Sequence, residues 1–174
     1  MYVQQPGAGV PAPDFQTFIA EIPEGPEGVR ATLQIMRGIK NAYKKSPWVR
    51  NFANSLTLNL PQKSYFRQVE RLFSFVQNQI RYVHDIAGVE MVQTPEVTLT
   101  RRSGDCDDKA VLLATLLESI GHPSRFVAVG FKPGKFSHVY VETKVGNAWI
   151  ALDATEPHPP GWTPPNVKAR MVES

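Results

Sequence analysis

The stretch Ser103-Gly104-Asp105-Cys106-Asp107-Asp108-Lys109-Ala110 decides how the rest of this chain is read, and it holds the only cysteine. Behind it runs Val111-Leu112-Leu113-Ala114-Thr115-Leu116-Leu117-Glu118-Ser119-Ile120, apolar on nearly every side, which predicts a buried helix. Gly121-His122-Pro123 ends that helix, a glycine C-cap followed by a proline that cannot continue it. A thiol in the first turn of a buried helix has two readings. It is a small hydrophobe, or it is a nucleophile whose thiolate is favoured by the partial positive charge and free N–H groups of the helix start. Gly104 would let the backbone bend sharply, and the Cys106 N–H could serve an oxyanion.

Three carboxylates surround the thiol. Asp105, Asp107 and Asp108 could suggest a cation, but their spacing is not that of an EF-hand calcium loop. Helix capping and acidic residues at the positive helix end explain them better. Negative charge beside the sulfur would oppose thiolate formation, so their side chains are expected to point away from it.

Upstream, the pattern is helical. Residues 1–26 are rich in proline and glycine and read as an extended N-terminal arm, with Phe15, Phe18 and Ile19 available for docking. From Glu27, the residues Val29, Leu33, Met36 and Ile39 recur at helical spacing until Ser46-Pro47. A second helix spans Trp48 to about Leu56. Ser64 to about Val83 carries Phe66, Val69, Leu72, Phe73, Val76 and Ile80 on one face, and its end drifts into extended structure. Thr94-Pro95-Glu96 is a helix start with a capping threonine, leading a short helix to about Leu99.

Downstream of Pro123 the period changes from 3.6 to 2. Arg125–Phe131, Ser137–Val145 and Ala148–Asp153 read as three strands, joined by Lys132-Pro133-Gly134-Lys135 and by Gly146-Asn147, and such short turns make an antiparallel meander. From Glu156 the chain is proline-rich again. The expectation is an α+β fold with N-terminal helices packed on a small antiparallel sheet. It divides into an arm (1–26), a central folded domain (27–156) and a Pro-rich C-terminal tail (157–174) that wraps the surface or stays mobile.

Composition narrows the function. With 174 residues, 42% hydrophobic and 20% charged, the chain can bury the core of one domain. The formal charge of +3 is carried by scattered lysines and arginines without interleaved aromatics, so nucleic-acid binding is not expected. No apolar run is long enough for a membrane span, and Met1–Gly7 has neither the basic nor the apolar region of a secretory signal. The lone cysteine forbids an internal disulfide and fits a reducing compartment. The chain is therefore expected to be cytoplasmic, or virion-associated if phage-encoded.

A cysteine nucleophile needs an imidazole base, and the base needs an acid that fixes its tautomer. His138 opens the second strand and Asp153 ends the third. Counted from Gly146-Asn147, the two are adjacent across the hairpin or offset by one diagonal step. Gly104-Asp105-Cys106-Asp107-Asp108, Ser137-His138-Val139-Tyr140-Val141 and Trp149-Ile150-Ala151-Leu152-Asp153-Ala154 closely resemble the motifs of the bacterial and phage transglutaminase-like cysteine peptidase superfamily. The resemblance extends through Tyr82-Val83, Val92–Leu99 and Gly121–Arg125, and so covers about residues 65 to 156. It implies a papain-like core, with Cys106 as nucleophile, His138 as general base and acid, and Asp153 as its orienter. Alone, His138 would be read as a strand histidine and Asp153 as a turn former. Their case rests on the combination.

The second oxyanion donor is not named by the sequence. Gln93 and Tyr82 are candidates, each with an ordinary structural role as the plainer reading, and Trp149 serves equally well as a core anchor. His84, His122 and His158 lack the spacing of a zinc site, and no metal or cofactor is expected. The leading function is an acyl-transfer enzyme acting on amide bonds through a thioester. With water it is a peptidase or amidase acting on a protein or peptide; with a lysine amine it is a cross-linking transglutaminase. The alternative is a phage-type structural, assembly or binding protein that retains the fold and uses its Pro-rich ends to dock a partner. Its oligomeric state is left open.

Overall fold

The computed structural model describes residues 18–19, 25–84 and 91–174. Most of the N-terminal arm expected over residues 1–26 therefore lies outside the described residues. Of it, β1 (Phe18–Ile19) pairs antiparallel with β3 (Met91–Val92).

The cysteine helix is the centre of the molecule. α5 (Cys106–Ser119) buries residues from Asp108 to Leu117 without a break, as its uniformly apolar sequence requires. Three helices from the N-terminal half surround it: α1 (Pro26–Tyr43), α2 (Pro47–Thr57) and α3 (Tyr65–Gln79). α1 and α3 present the expected stripes to α5, with Leu33, Met36 and Ile39 from α1 and Val69, Leu72, Phe73 and Val76 from α3, and α2 adds Val49 and Ala53. Phe66 departs from that stripe and is exposed.

One polar cluster crosses this helical layer. Lys40 is buried, and its Nζ lies 2.7 Å from Glu118 Oε1 on α5. Lys44 Nζ reaches the other oxygen of the same carboxylate at 2.7 Å. The Ser124 hydroxyl and N–H complete the set, so the buried charges of α1 and α5 are mutually satisfied.

The other side of α5 packs on a four-stranded antiparallel sheet whose strands lie in the spatial order 148–152, 138–145, 124–130 and 169–173. β5 (Ser124–Gly130), β6 (His138–Val145) and β7 (Ala148–Leu152) form the expected meander. The Gly146-Asn147 turn sets the β6·β7 register from Val145 opposite Ala148, with Gly146 at φ 59°.

The C-terminal segment differs from the tail anticipated over 157–174. It ends in β8 (Ala169–Glu173), which adds to the outer edge of β5, from Gly130 opposite Ala169 to Phe126 opposite Glu173. Arg37 of α1 holds its end, Nη1 lying 2.6 Å from Glu173 Oε1. Between β7 and β8 the chain forms a strap tied to the sheet. Gly161 N–H donates to the Ala151 carbonyl at 2.8 Å and Lys168 N–H to the Gly130 carbonyl at 2.8 Å. Val167 of the strap and Val172 of β8 cover a second apolar cluster of Val127, Val129, Tyr140 and Ala151, on the sheet face away from α5. This explains why β5 is buried on both faces and reads as a continuous apolar run.

The start of the cysteine helix is fixed by shorter pieces. α3 stops at Gln79, earlier than its periodicity suggests, because Arg81–Tyr82 (β2) pairs in parallel with Ser103–Gly104 (β4). Lys109 of α5, almost wholly buried, donates to the Ile80 carbonyl at 2.8 Å and so serves the end of α3. α4 (Pro95–Arg101) ends in Arg102 at φ 53°, a left-handed residue that turns the chain into β4. Thr94 stands at the N-cap of α4 but makes no side-chain cap bond; its carbonyl instead accepts from Thr98. Trp149 is not a core anchor. It is exposed, and its ring carries the Arg125 guanidinium at 4.1 Å.

Candidate active site

Cys106 is the first residue of α5, and a capping box precedes and holds it. Asp105 Oδ1 accepts from the Asp108 N–H at 3.1 Å, and Asp108 Oδ2 accepts from the Asp105 N–H at 3.3 Å. Asp108 is fully buried, and Gln93 supplies its remaining donors: the backbone N–H at 2.7 Å and Nε2 at 2.5 Å. Gly104 is needed for this close packing rather than for a sharp bend. A Cβ there would sit 2.5 Å from Asp108 Cβ and 2.7 Å from Oδ2.

Two of the three acids are thus capping groups, as the sequence suggested. The third is placed otherwise. Asp107 does not point away from the sulfur; Cys106 Sγ donates to its Oδ1 at 3.5 Å. Burial pushes the thiol far above its ordinary range, and the charges of Asp107 and Asp105 push it further. A hydrogen bond from the Val139 backbone opposes them without reversing the direction. These influences favour the protonated thiol in the resting site, despite its place at a helix N-terminus.

The hairpin brings the other two candidates together. His138 Nε2 lies 2.6 Å from Asp153 Oδ2. Continuing the β6·β7 register past Val141 opposite Leu152 sets Asp153 across from Tyr140, one diagonal step from His138. Burial pushes the Asp153 carboxyl up, but the hydrogen bond and charge of His138, with two bonds from Thr155, outweigh it and hold it below the usual range. Since Asp153 occupies Nε2, Nδ1 is the ring nitrogen available to the cleft.

Thr155 is the partner that the sequence reading missed. Its hydroxyl donates to Asp153 Oδ1 at 2.6 Å and its N–H to the same oxygen at 3.1 Å. The same register places Thr155 directly across from His138, which was the signal available in the sequence. Burial lowers the Lys109 ammonium, which donates to the Gln77 and Ile80 carbonyls, to about 8, and the charge of Asp153 acts against that burial.

Cys106 and His138 line one cleft of about 290 Å³. Leu33 and Met36 of α1 contribute apolar wall, and Tyr82 and His84 stand at another side. His84, read from the sequence as incidental, packs edge-on against Tyr82 with ring centroids 4.8 Å apart. Of the two oxyanion candidates, Tyr82 is in the cleft, whereas Gln93 is buried with its amide on Asp108 and is not among the lining residues. His122 is buried against Gln68, its Nε2 3.0 Å from Oε1, and His158 stacks on Trp162; both lie away from this cleft.

The fold recurs in solved structures. An inferred cysteine protease from Cytophaga hutchinsonii aligns with a TM-score of 0.53 at 21% identity, over 75% of this chain and 47% of its own. An inferred protease from Parabacteroides distasonis aligns with a TM-score of 0.58 at 19% identity, over 80% of this chain and 31% of its own. Calcium-bound Legionella pneumophila LapG gives 0.50 at 20% identity, over 71% and 73%. This chain thus spans less than half the length of the first two. A search of curated proteins returned no match. A family model of the transglutaminase-like superfamily core matches residues 50–154, the stretch from α2 through Cys106 and His138 to Asp153, and the chain belongs to that superfamily.

Proposed function

We propose that this protein is a cysteine peptidase or amidase that cleaves amide bonds through a thioester on Cys106. The observation that carries the reading is the shared cleft of Cys106 and His138, with the far nitrogen of His138 engaged by a buried aspartate at 2.6 Å. Asp153 as acceptor favours the tautomer with hydrogen on Nε2, so the lone pair of Nδ1 is the base.

The neutral resting thiol sets the order of events. His138 takes the thiol proton as Cys106 Sγ attacks the carbonyl carbon, and Asp153 stabilises the imidazolium that results. The Cys106 backbone N–H at the helix start, with Tyr82 as a second donor, would face the developing oxyanion. As the C–N bond breaks, the imidazolium returns its proton to the departing amine. Water, deprotonated by the same base, then attacks the thioester and releases the acid. An amine in place of water would give transamidation by the same steps; the compact motif favours hydrolysis.

The test is acetylation by p-nitrophenyl acetate, followed by nitrophenol release and intact mass. The expectation is one acetyl group on Cys106 of the folded protein, formed on the order of a hundredfold faster than in His138→Ala. A thiol that is acetylated only after denaturation, or equally fast in both proteins, would overturn the reading.

A further inference from the structure

A second cavity also reaches His138. It encloses about 640 Å³, shares Ser137 and His138 with the cysteine cleft, and is otherwise walled by Phe131, Trp162, Pro164 and Pro165 among others. Its size is that of a small-molecule site, and its ring surfaces are apolar. Phe131 is 45% exposed, so its ring is accessible from the cavity.

The cavity is built on a fixed frame. Trp162 stacks on His158 with ring centroids 4.1 Å apart, and the strap that carries both is pinned at three places. Gln77 of α3 donates through Nε2 to the carbonyls of Glu156 and His158, at 2.6 and 2.9 Å. The Gly161 and Lys168 amides bond to the sheet, as described above. A platform held in this way presents its rings without an ordering cost on binding.

The position of this cavity relative to the reacting atoms assigns its occupant. It touches His138 but not Cys106. The acyl carbon must reach the sulfur, whereas the amine must reach the imidazole that protonates it. We infer that the Phe131–Trp162 cavity is the subsite for the amine half of the substrate, and that it takes a residue with an aromatic side chain just past the scissile bond. This rests on the proposed function and adds the side chain that the site selects. By microscopic reversibility the subsite also binds an amine that attacks the acyl-enzyme. The amine nitrogen then bonds to the thioester carbon as His138 takes its proton, the C–S bond breaks, and the proton passes to the sulfur.

That reversal gives a test that needs no known substrate. The full chain is acetylated with p-nitrophenyl acetate in an equimolar mixture of phenylalaninamide and alaninamide, and the two N-acetyl products are quantified by mass spectrometry. The phenylalanine product should exceed the alanine product by roughly tenfold after subtraction of the enzyme-free reaction. The ratio should fall toward one in Trp162→Ala and in Phe131→Ala. The second variant lies on a different segment, so failure of the strap to fold would not decide the matter. A wild-type ratio near one, a ratio kept in both variants, or deacylation by water alone overturns the inference. If Cys106 acquires no acetyl group at all, the proposed function fails, and the inference with it.

Discussion

Replacing Asp107 by asparagine should make Cys106 react faster at neutral pH. Asp107 Oδ1 lies 3.5 Å from Cys106 Sγ and accepts the thiol hydrogen. After burial, its charge is the largest influence that raises the thiol. At that separation and an effective dielectric of about 20, Coulomb's law disfavours the thiolate by roughly 5 kcal/mol. Asp107 is partly exposed, so solvent screening reduces this to about 1–4 kcal/mol, or about one to three pKa units. A less basic thiolate is also less nucleophilic, with a Brønsted coefficient of about 0.4–0.5, so each unit gained in ionisation gives only about a threefold faster reaction. Asp107→Asn should therefore accelerate alkylation by iodoacetamide about 3- to 30-fold at neutral pH. Asparagine keeps the shape of the side chain, so the cleft is preserved. The assay is the pseudo-first-order alkylation rate of the folded protein, followed by intact mass from about pH 6 to about pH 9. The wild-type rate should still be climbing at the upper end, with the variant curve displaced to lower pH. Equal or slower alkylation of the variant would refute the placement of the carboxylate against the sulfur.

Thr155→Val removes the hydroxyl that donates to Asp153 Oδ1 at 2.6 Å and leaves a side chain of similar shape. A hydrogen bond to a charged group contributes about 1.5–3 kcal/mol, so acetylation of Cys106 should slow by at least about tenfold. The bond also holds the Asp153 carboxylate that fixes the imidazole, so Thr155→Ser should restore the rate and Thr155→Ala should not. A Thr155→Val rate equal to that of the unsubstituted protein would leave Thr155 with a packing role only. Glu118→Gln tests the helical layer. Burial raises the Glu118 carboxyl, but Lys40, Lys44 and Ser124 outweigh it and hold the carboxyl below its ordinary 4.5. Because the folded value is the lower one, the cluster's contribution is complete above the unfolded value and is lost as pH falls through the folded value. The variant leaves Lys40 buried without its carboxylate partner and should lose about 3–5 kcal/mol by urea unfolding at neutral pH, with the difference shrinking below about pH 4. A difference that is constant with pH would mean that the cluster acts by packing.

What the sequence disclosed and what it withheld follow from the range of each interaction. The buried helix behind Cys106 was legible because its signal is local and dense: an apolar run of one turn after another, closed by Gly121 and Pro123. The His138–Asp153 contact was legible because a two-residue turn fixes the register, and counting from it needs no knowledge of the rest of the fold. β8 was not legible. Ala169–Glu173 has little alternation of its own and becomes a strand by meeting the open edge of β5, a partner some forty residues back. Nor could spacing tell which of three neighbouring aspartates faces the sulfur. Asp105 and Asp108 are claimed by reciprocal capping and by Gln93, and Asp107 is the one left at the thiol.

The hairpin register does more than bring two residues together. Asp153 lies beyond the last residue of β7, and its orientation comes from two neighbours: Thr155 two residues on and His138 across the ladder. A slip of one residue at Gly146-Asn147 would turn Asp153 and Thr155 to the opposite face while leaving His138 in the cleft. The imidazole would then lose the acceptor that fixes its tautomer. In the proposed mechanism His138 is the group that takes the thiol proton. In an enzyme with a preformed thiolate, a misplaced aspartate would cost part of the rate. Under the proposed mechanism the base carries this step, so the turn at the far end of the β6·β7 hairpin bears directly on the chemistry at the cysteine.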